Sequence, residues 1–246
     1  MHNILFYFLL FIIYAFIGWC LEVIYCYYHT GKIINRGFLI GPYCPIYGVG
    51  CVLIIILLKR YSSDVLALFI MSIVICSVLE YLTSYILEKL FKTRWWNYSN
   101  RKFNINGRIC LETMIPFGVG GVIIMKVVNP FIVGLLNKLN DNMLFIVGGV
   151  ILILFLIDNI ISFSVVSKIK VSASKLKSDS TEEITEIVKK KLIEHSMFAR
   201  RLIKSFPNIK ILKRNYRKGR KKWLKYHLKK LIYYYQRKLI WKSGAL

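Results

Sequence analysis

Four carboxylates stand inside or at the edge of long apolar runs: Glu22, Glu80, Glu112 and Asp158. A carboxylate surrounded by hydrocarbon is costly unless it is paired, protonated or wet. One such residue is a structural partner for a neighbour; four of them suggest a shared polar interior. The spacing around Glu80 supports this. Ser72, Cys76, Glu80, Thr83 and Ser84 recur at i, i+4, i+8, i+11 and i+12, which is one helical face. Ala15, Gly18 and Glu22 make a similar stripe, small and then charged. Small residues let two helices approach closely, and the acid must then face a neighbour. The alternative is that each acid only makes an interhelical hydrogen bond that specifies packing.

Cationic partners stand close by in the chain. Arg36 follows the run that holds Glu22, and Arg94 and Arg108 lie between the runs that hold Glu80 and Glu112. Arg36 also opens the stretch "RGFLIGPYCPIYG", in which Gly37, Gly41, Pro42, Pro45 and Gly48 interrupt an apolar sequence. Irregular backbone at membrane depth is tolerated where protein or water covers it. Freed amides and a helix N-terminus would then point into the same cytoplasmic vestibule, a natural anion site. The other reading is a short interfacial turn, with Pro42 near a helix start where proline is tolerated. The expected centre is one polar cavity at the cytoplasmic side, lined by Glu22, Arg36 and Glu80, with the segment from Gly37 to Gly48 as part of its wall.

These residues need a membrane to make sense. Hydrophobic residues form 56% of the 246, yet the formal net charge is +24, from 36 Lys+Arg against 12 Asp+Glu. A chain so apolar and so basic predicts membrane spans flanked by cytoplasmic charge, rather than a soluble nucleic-acid binder. A span takes about 20 apolar residues. Five runs qualify, over residues 4–28, 41–58, 65–87, 111–136 and 143–166. The first has no basic lead or small-residue cleavage site and contains Glu22, so it reads as a span rather than a cleaved signal. The expected fold is an all-α, polytopic membrane helical bundle of about five transmembrane helices. A transmembrane domain over 1–167 precedes a basic tail over 168–246.

That tail carries 24 of the 36 Lys and Arg. With five spans it shares a side with the loops around residues 32–36 and 89–108. The positive-inside rule then places the N-terminus outside and the C-terminus in the cytoplasm. Ser180 and Glu183 fit a capping box. Further on, Leu224, Leu228, Leu231, Ile232, Tyr235 and Leu239 repeat at helical spacing among lysines and arginines. Such a helix suits an anionic membrane surface, and anionic lipid head groups are its expected partner ahead of a cytoplasmic protein. No nucleic-acid motif is present.

Metal and cofactor chemistry find no foothold. The six cysteines form no C-x-x-C pair, and the four histidines are scattered. The expectation is no metal and no cofactor.

"GWCLEVIY", "NRGFLIGPYCPIYG", "LEYLTSYILEKLFKTRWWNYS" and "FNINGRICLE" follow one another in a specific order. As a set they resemble the CmpB-like family of bacterial multi-pass membrane proteins, the ABC-transporter type IV permeases. The resemblance covers about Ile4 to Lys168. It places Gly18, Trp19, Glu22, Arg36, Gly37, Gly41, Pro42, Pro45, Gly48, Glu80, Trp96, Tyr98, Asn104, Gly107 and Leu111 on the family pattern. Asn97 departs from it, where an acidic residue is expected. The resemblance implies a permease-like component that moves an unidentified substrate. This sequence has no G-x-x-x-x-G-K-[ST] phosphate loop, so a separate ATPase would be needed. Five spans are few for a permease, so a homodimer is expected too. An integral-membrane enzyme acting on a lipid or its head group, and an accessory lipid-binding protein, stay open beside transport. Whether the chain is an enzyme is left undecided; a transport component is favoured. The substrate-binding candidates are Glu22, Arg36, Gly37, Gly41, Pro42, Pro45, Glu80, Trp96, Tyr98, Asn104, Arg108 and Glu112.

Overall fold

The computed structural model of the chain describes residues 2–174, 185–190, 197–206 and 209–211, all within one compact unit, Met1–Ile211. The capping box at Ser180 and the amphipathic repeat from Leu224 lie outside the described residues.

The apolar runs become helices. Helix α1 is His2–Thr30, α2 Pro45–Leu58, α3 Val65–Phe91 and α4 Leu111–Ile123. A π-turn at Ile124–Val128 leads into α5, Asn129–Leu136, and α6 is Asp141–Ser174. Residues 185–190 are helical (α7), and α8 is Met197–Ser205. Among the described residues four short strands complete the set: β1 Thr93–Arg94, β2 Asn104–Ile105, β3 Ile109–Cys110 and β4 Lys210–Ile211. Among the described residues four helical stretches are long and apolar enough to cross a bilayer: Ile4–Thr30, Val65–Phe91, Leu111–Leu136 and Asp141–Ser167. Helix α6 runs on past residue 167, where the sequence placed the end of the membrane domain.

The remaining apolar run is discontinuous. Helix α2 has 14 residues, or about 21 Å of rise, short of a hydrocarbon core of about 30 Å. It starts at Pro45, four residues after the expected start at 41. Gly41 and Pro42 precede it, and Pro45 itself suits a first helical position because its missing N–H is not needed there. The chain from Gly31 to Cys44 is irregular. It does not stay at the end of the bundle: the Cys44 amide donates to the carbonyl of Ala15, 2.9 Å away. Ala15 lies about 22 Å along α1 from Thr30, at 1.5 Å per residue. The segment therefore dips deep beside α1 before α2 begins.

Neighbouring helices run antiparallel along this line. A Cβ on Gly48 would meet the backbone oxygen of Phe11, and one on Gly121 would meet Ser72. The close α1–α2 and α3–α4 pairs are thus made by glycines, as membrane helices require when packing rather than hydrophobic expulsion joins them. Helix α6 runs parallel to α1, with Gly148 against Leu5 and Phe155 against Phe11. A core of Leu9, Leu10, Tyr14, Ile54, Leu58 and Leu68 ties α1, α2 and α3 together. The outward faces stay apolar: Ile70, Val74 and Val78 on α3, and Ile153, Leu154 and Ile160 on α6, are exposed. Such faces are costly in water and suited to lipid.

Part of the tail packs onto the bundle end. Ala199, Leu202 and Ile203 of α8 and Val188 of α7 bury against Phe91, Trp95 and Val166. Strand β4 pairs antiparallel with β1, Thr93 opposite Ile211.

Candidate functional site

The dipping segment poses a bookkeeping problem, because backbone amides and carbonyls away from water must all find partners. Opposite charges solve it from two sides. Asp158 on α6 takes the amides: Ile40 N–H donates to Oδ1 at 2.9 Å and Gly41 N–H to Oδ2 at 2.7 Å. The Tyr43 hydroxyl donates to Oδ2 and the Ser162 hydroxyl to Oδ1. Arg201 on α8 takes the carbonyls, donating to Gly37 at 2.7 Å, Ile40 at 3.1 Å and Phe38 at 3.5 Å. Its neighbour one turn on, Ser205, donates to the carbonyl of Asn35. Asn35 supplies Oδ1 to the Gly37 amide and the Trp19 indole, and Nδ2 to the Ile40 carbonyl. Burial lowers the affinity of Arg201 for its proton, while the Asp158 charge raises it. Neither Asp158 nor Arg201 stood among the residues expected at the site.

Beside this clamp, Glu22 and Arg36 face each other. Arg36 Nε lies 3.5 Å from Glu22 Oε2, with side chains 30% and 27% exposed. The Tyr47 hydroxyl, from the first turn of α2, donates to Glu22 Oε1 at 2.7 Å. Tyr47 sits there because Gly18 leaves room for its ring.

Glu80 is 7% exposed. Tyr98 donates to its Oε1 at 3.2 Å and Thr113 to its Oε2 at 3.5 Å. No ion pair to Glu80 occurs among the described residues. Tyr98 is within electrostatic reach of both Glu80 and Glu22; burial, then the Glu80 charge, pushes its hydroxyl well above the usual phenol range. The loop that delivers Tyr98 is tightly made. Tyr98 N–H donates to the Gly107 carbonyl, and Asn104 bonds the carbonyls of Ser99 and Arg101 and the Gly107 amide. Gly107 has φ +65°, and a Cβ there would meet Asn97 and Ser99, so only glycine fits. Asn97, where the resemblance led to the expectation of an acid, bonds the Ser99 amide and hydroxyl. Trp96 donates its indole N–H to the Arg108 carbonyl.

The two other expected arginines serve a different acid. Arg94 and Arg108 both meet Glu88, at 2.9 Å and 3.1 Å. Arg108 also reaches Ser84 and lies over the rings of Tyr81 and Tyr85. Glu112 is apart: it pairs with Arg101 at 3.0 Å, both side chains 58% exposed. Of the remaining candidates, Gly37 and Gly41 belong to the Asp158–Arg201 clamp, Pro42 turns outward from it, and Pro45 opens α2. The geometry thus brings together Glu22, Arg36, Glu80 and Tyr98 with the dipping segment, and leaves Glu112 outside. Asp158 was legible as a buried acid; Glu88 and Arg201 carried no signal that separated them from other charges.

A family model described as "Putative ABC-transporter type IV", the CmpB family, matches residues 9–163. That is more than half of the chain, and the chain belongs to this family. No curated protein and no solved structure matches it.

Proposed function

We propose, from membership in that family, that the chain is the permease-like part of a membrane transporter, powered by a separate ATPase. The observation that carries this reading is the broken crossing at Gly31–Cys44. Unwound backbone at membrane depth is maintained where a pathway or binding site needs it, because a continuous helix is otherwise cheaper. Here its amides are held by Asp158 and its carbonyls by Arg201. Next to it stand Glu22, Arg36 and Tyr47, and then Tyr98 and Glu80. Glu22 with Arg36 is neutral overall, so Glu80 leaves the group one negative charge when ionised. Such a site favours a substrate with a cationic or hydrogen-bond-donating part. The end of the bundle with the tail faces the cytoplasm, following its positive charge.

The test is to isolate the full chain gently from its own membranes. A co-purifying ATPase is expected, with nucleotide hydrolysis that a retained small molecule alters. Glu80→Gln should keep the ATPase bound and lose that response. A chain that instead consumes phospholipid with no nucleotide and no ATPase present overturns the proposal.

A further inference from the structure

Two serines inside the bundle lack what comparable hydroxyls have. Ser72 and Ser77 of α3 are 0% and 5% exposed, and neither Oγ has a hydrogen-bond partner among the described residues. The other buried hydroxyls described, those of Ser84, Thr93, Ser162, Thr185 and Ser205, are all hydrogen-bonded. A helical serine can turn its hydroxyl to the carbonyl four residues back, as Ser164 of α6 does to Ile160 at 2.7 Å. Leaving a buried hydroxyl unpaired costs about 1–3 kcal/mol. Both orphans stand on the face of α3 that carries Cys76 and Glu80. We propose that the cationic or hydrogen-bond-donating part of the substrate passes between α2, α3 and α4, from Glu80 past Cys76 and Ser72 to Tyr14 and Asn129. The proposal rests on the transport reading and adds the route to it.

The polar groups follow one another through the bundle. Cys76 lies one turn from Glu80, and a Cβ on Gly50 of α2 would stand 3.7 Å from its Sγ. Cys51, next in the chain, is within electrostatic reach of both Cys76 and Tyr14. The Tyr14 hydroxyl donates to Asn129 Oδ1 at 3.1 Å. From Glu80 to Ser72 the face descends about 12 Å, at 1.5 Å per residue, and Asn129 lies well past the middle of the crossing Leu111–Leu136. Each orphaned hydroxyl on the way offers a donor and an acceptor to water or substrate. The structure closes the route where three helices meet. A Cβ on Gly121 of α4 would strike Ser72, and Ile54 of α2 is 3.4 Å from the same position. That stretch of α4 lies between two interruptions, Pro116 and the π-turn at Ile124–Val128. Helices bend at such points, so the wall at Gly121 can move against α3 while the ends of the crossing stay in place. Lys126 does not block the way: it is exposed and reaches the Ser63 carbonyl, while Met125 is the buried residue of the turn. The seam therefore keeps the sign that Glu80 sets.

The experiment treats cells that carry the full chain with two thiol reagents that do not cross lipid, a trimethylammonium and a sulfonate methanethiosulfonate, added outside. Mass spectrometry of the purified chain reads the modification of Cys76, which lies one turn beyond the Ser72 gate. The cationic reagent should modify Cys76 at least about ten-fold faster than the anionic one, because a cleft of one charge sign concentrates its counter-ion. Glu80→Gln should abolish that preference. Ser72→Leu, which fills the gate, should slow the cationic reagent several-fold. Val74→Cys, on the exposed face of α3, should react with neither. An unmodified Cys76 in wild type, equal rates for the two reagents, a preference that survives Glu80→Gln, an unslowed Ser72→Leu or a Val74→Cys as reactive as Cys76 overturns the route. If a variant does not fold, the two reagents compared on wild type decide. The ATPase reports on the transport reading separately. An ATPase that co-purifies while Cys76 stays unmodified overturns the route alone, and a charge-selective Cys76 without any ATPase overturns that reading and not the route.

Discussion

Asp158 and Arg201 grip opposite sides of one short stretch of backbone. The acid holds the amides of Ile40 and Gly41, and the arginine holds the carbonyls of Gly37, Phe38 and Ile40. A membrane helix satisfies these groups internally; here two side chains, one from a spanning helix and one from the tail, stand in for the missing turns. The segment's conformation is therefore set by residues more than a hundred positions away in sequence.

The acid should be the more demanding half of the grip. Asp158→Ala leaves two amides and the hydroxyls of Tyr43 and Ser162 without an acceptor. An unsatisfied buried donor costs about 1–3 kcal/mol, so a loss well above that of a surface change is expected. Asp158→Asn keeps one acceptor oxygen but turns an NH2 toward the second pair of donors, and should fall between. Unfolding of the full chain in mixed micelles, followed by far-UV circular dichroism, gives the order wild type, Asn, Ala. Equal midpoints for all three would remove the clamp from the account.

Arg201 should link the tail to the membrane segment. Its planar fork reaches three carbonyls; a lysine ammonium is a point charge and cannot reproduce that spread. Arg201→Lys should lose about 1–2 kcal/mol of the α8 contact, since hydrogen bonds to charged groups are worth about 1.5–3 kcal/mol each. Arg201→Ala should lose more. The readout is limited trypsin digestion after Arg200 and Lys204, which should speed up in the order wild type, Lys, Ala, while the helices of the bundle stay protected.

Much of the architecture could be read from periodicity and length. The runs that became α1, α3, α4–α5 and α6 are apolar over enough residues to cross a bilayer, and Gly37, Gly41 and Pro42 ahead of Pro45 marked the interrupted element. What could not be read is how far that element dips, because the bond from Cys44 to Ala15 is tertiary. The site divided in the same way. Glu22, Arg36 and Glu80 stood out as charges against an apolar background. Asp158 stood out too, but its partners at 40 and 41 are distant in the chain and gave it no address. Arg201 was hidden by its surroundings: in a tail with 24 Lys and Arg, no local pattern distinguishes the one that turns inward. Glu112 misled for the opposite reason. Its place at the start of α4 puts it level with the other acids, yet the helix turns it outward to Arg101.

The glycine contacts make a paired prediction about packing. A Cβ at Gly48 would lie 2.4 Å from the backbone oxygen of Phe11. Backbone cannot rotate aside, so α1 and α2 must separate, and overpacking of this kind costs about 1–3 kcal/mol. Gly120, on α4, has nothing within 4 Å of the same position. Gly120→Ala should be neutral or gain up to about 1 kcal/mol, because alanine is the better helix former. Gly48→Ala should lower the unfolding midpoint and Gly120→Ala should not. A gain of the same size for both would mean that helix propensity, and not the α1–α2 approach, governs these sites.

Tyr98 provides a test with a defined sign in pH. Its hydroxyl donates to Glu80, and burial together with the neighbouring Glu80 charge raises its pKa well above the ordinary value of about 10. The folded protein therefore keeps the Tyr98 proton at a pH where the unfolded chain has begun to lose it. A raised pKa contributes stability that is fully present below the unfolded value and is lost as pH climbs toward the folded one. Tyr98→Phe removes both the bond to Glu80 and this titration. Its deficit relative to wild type should be about 1 kcal/mol between about pH 8 and pH 9, the usual worth of one hydrogen bond. Above about pH 10 the deficit should narrow, because only the wild type then pays for keeping that hydroxyl protonated. Stability measured against pH for the two proteins side by side cancels the shared titration of the other tyrosines. A deficit that widens above pH 10 would mean that Tyr98 ionises readily in the folded state, and would separate it from the Glu80 site.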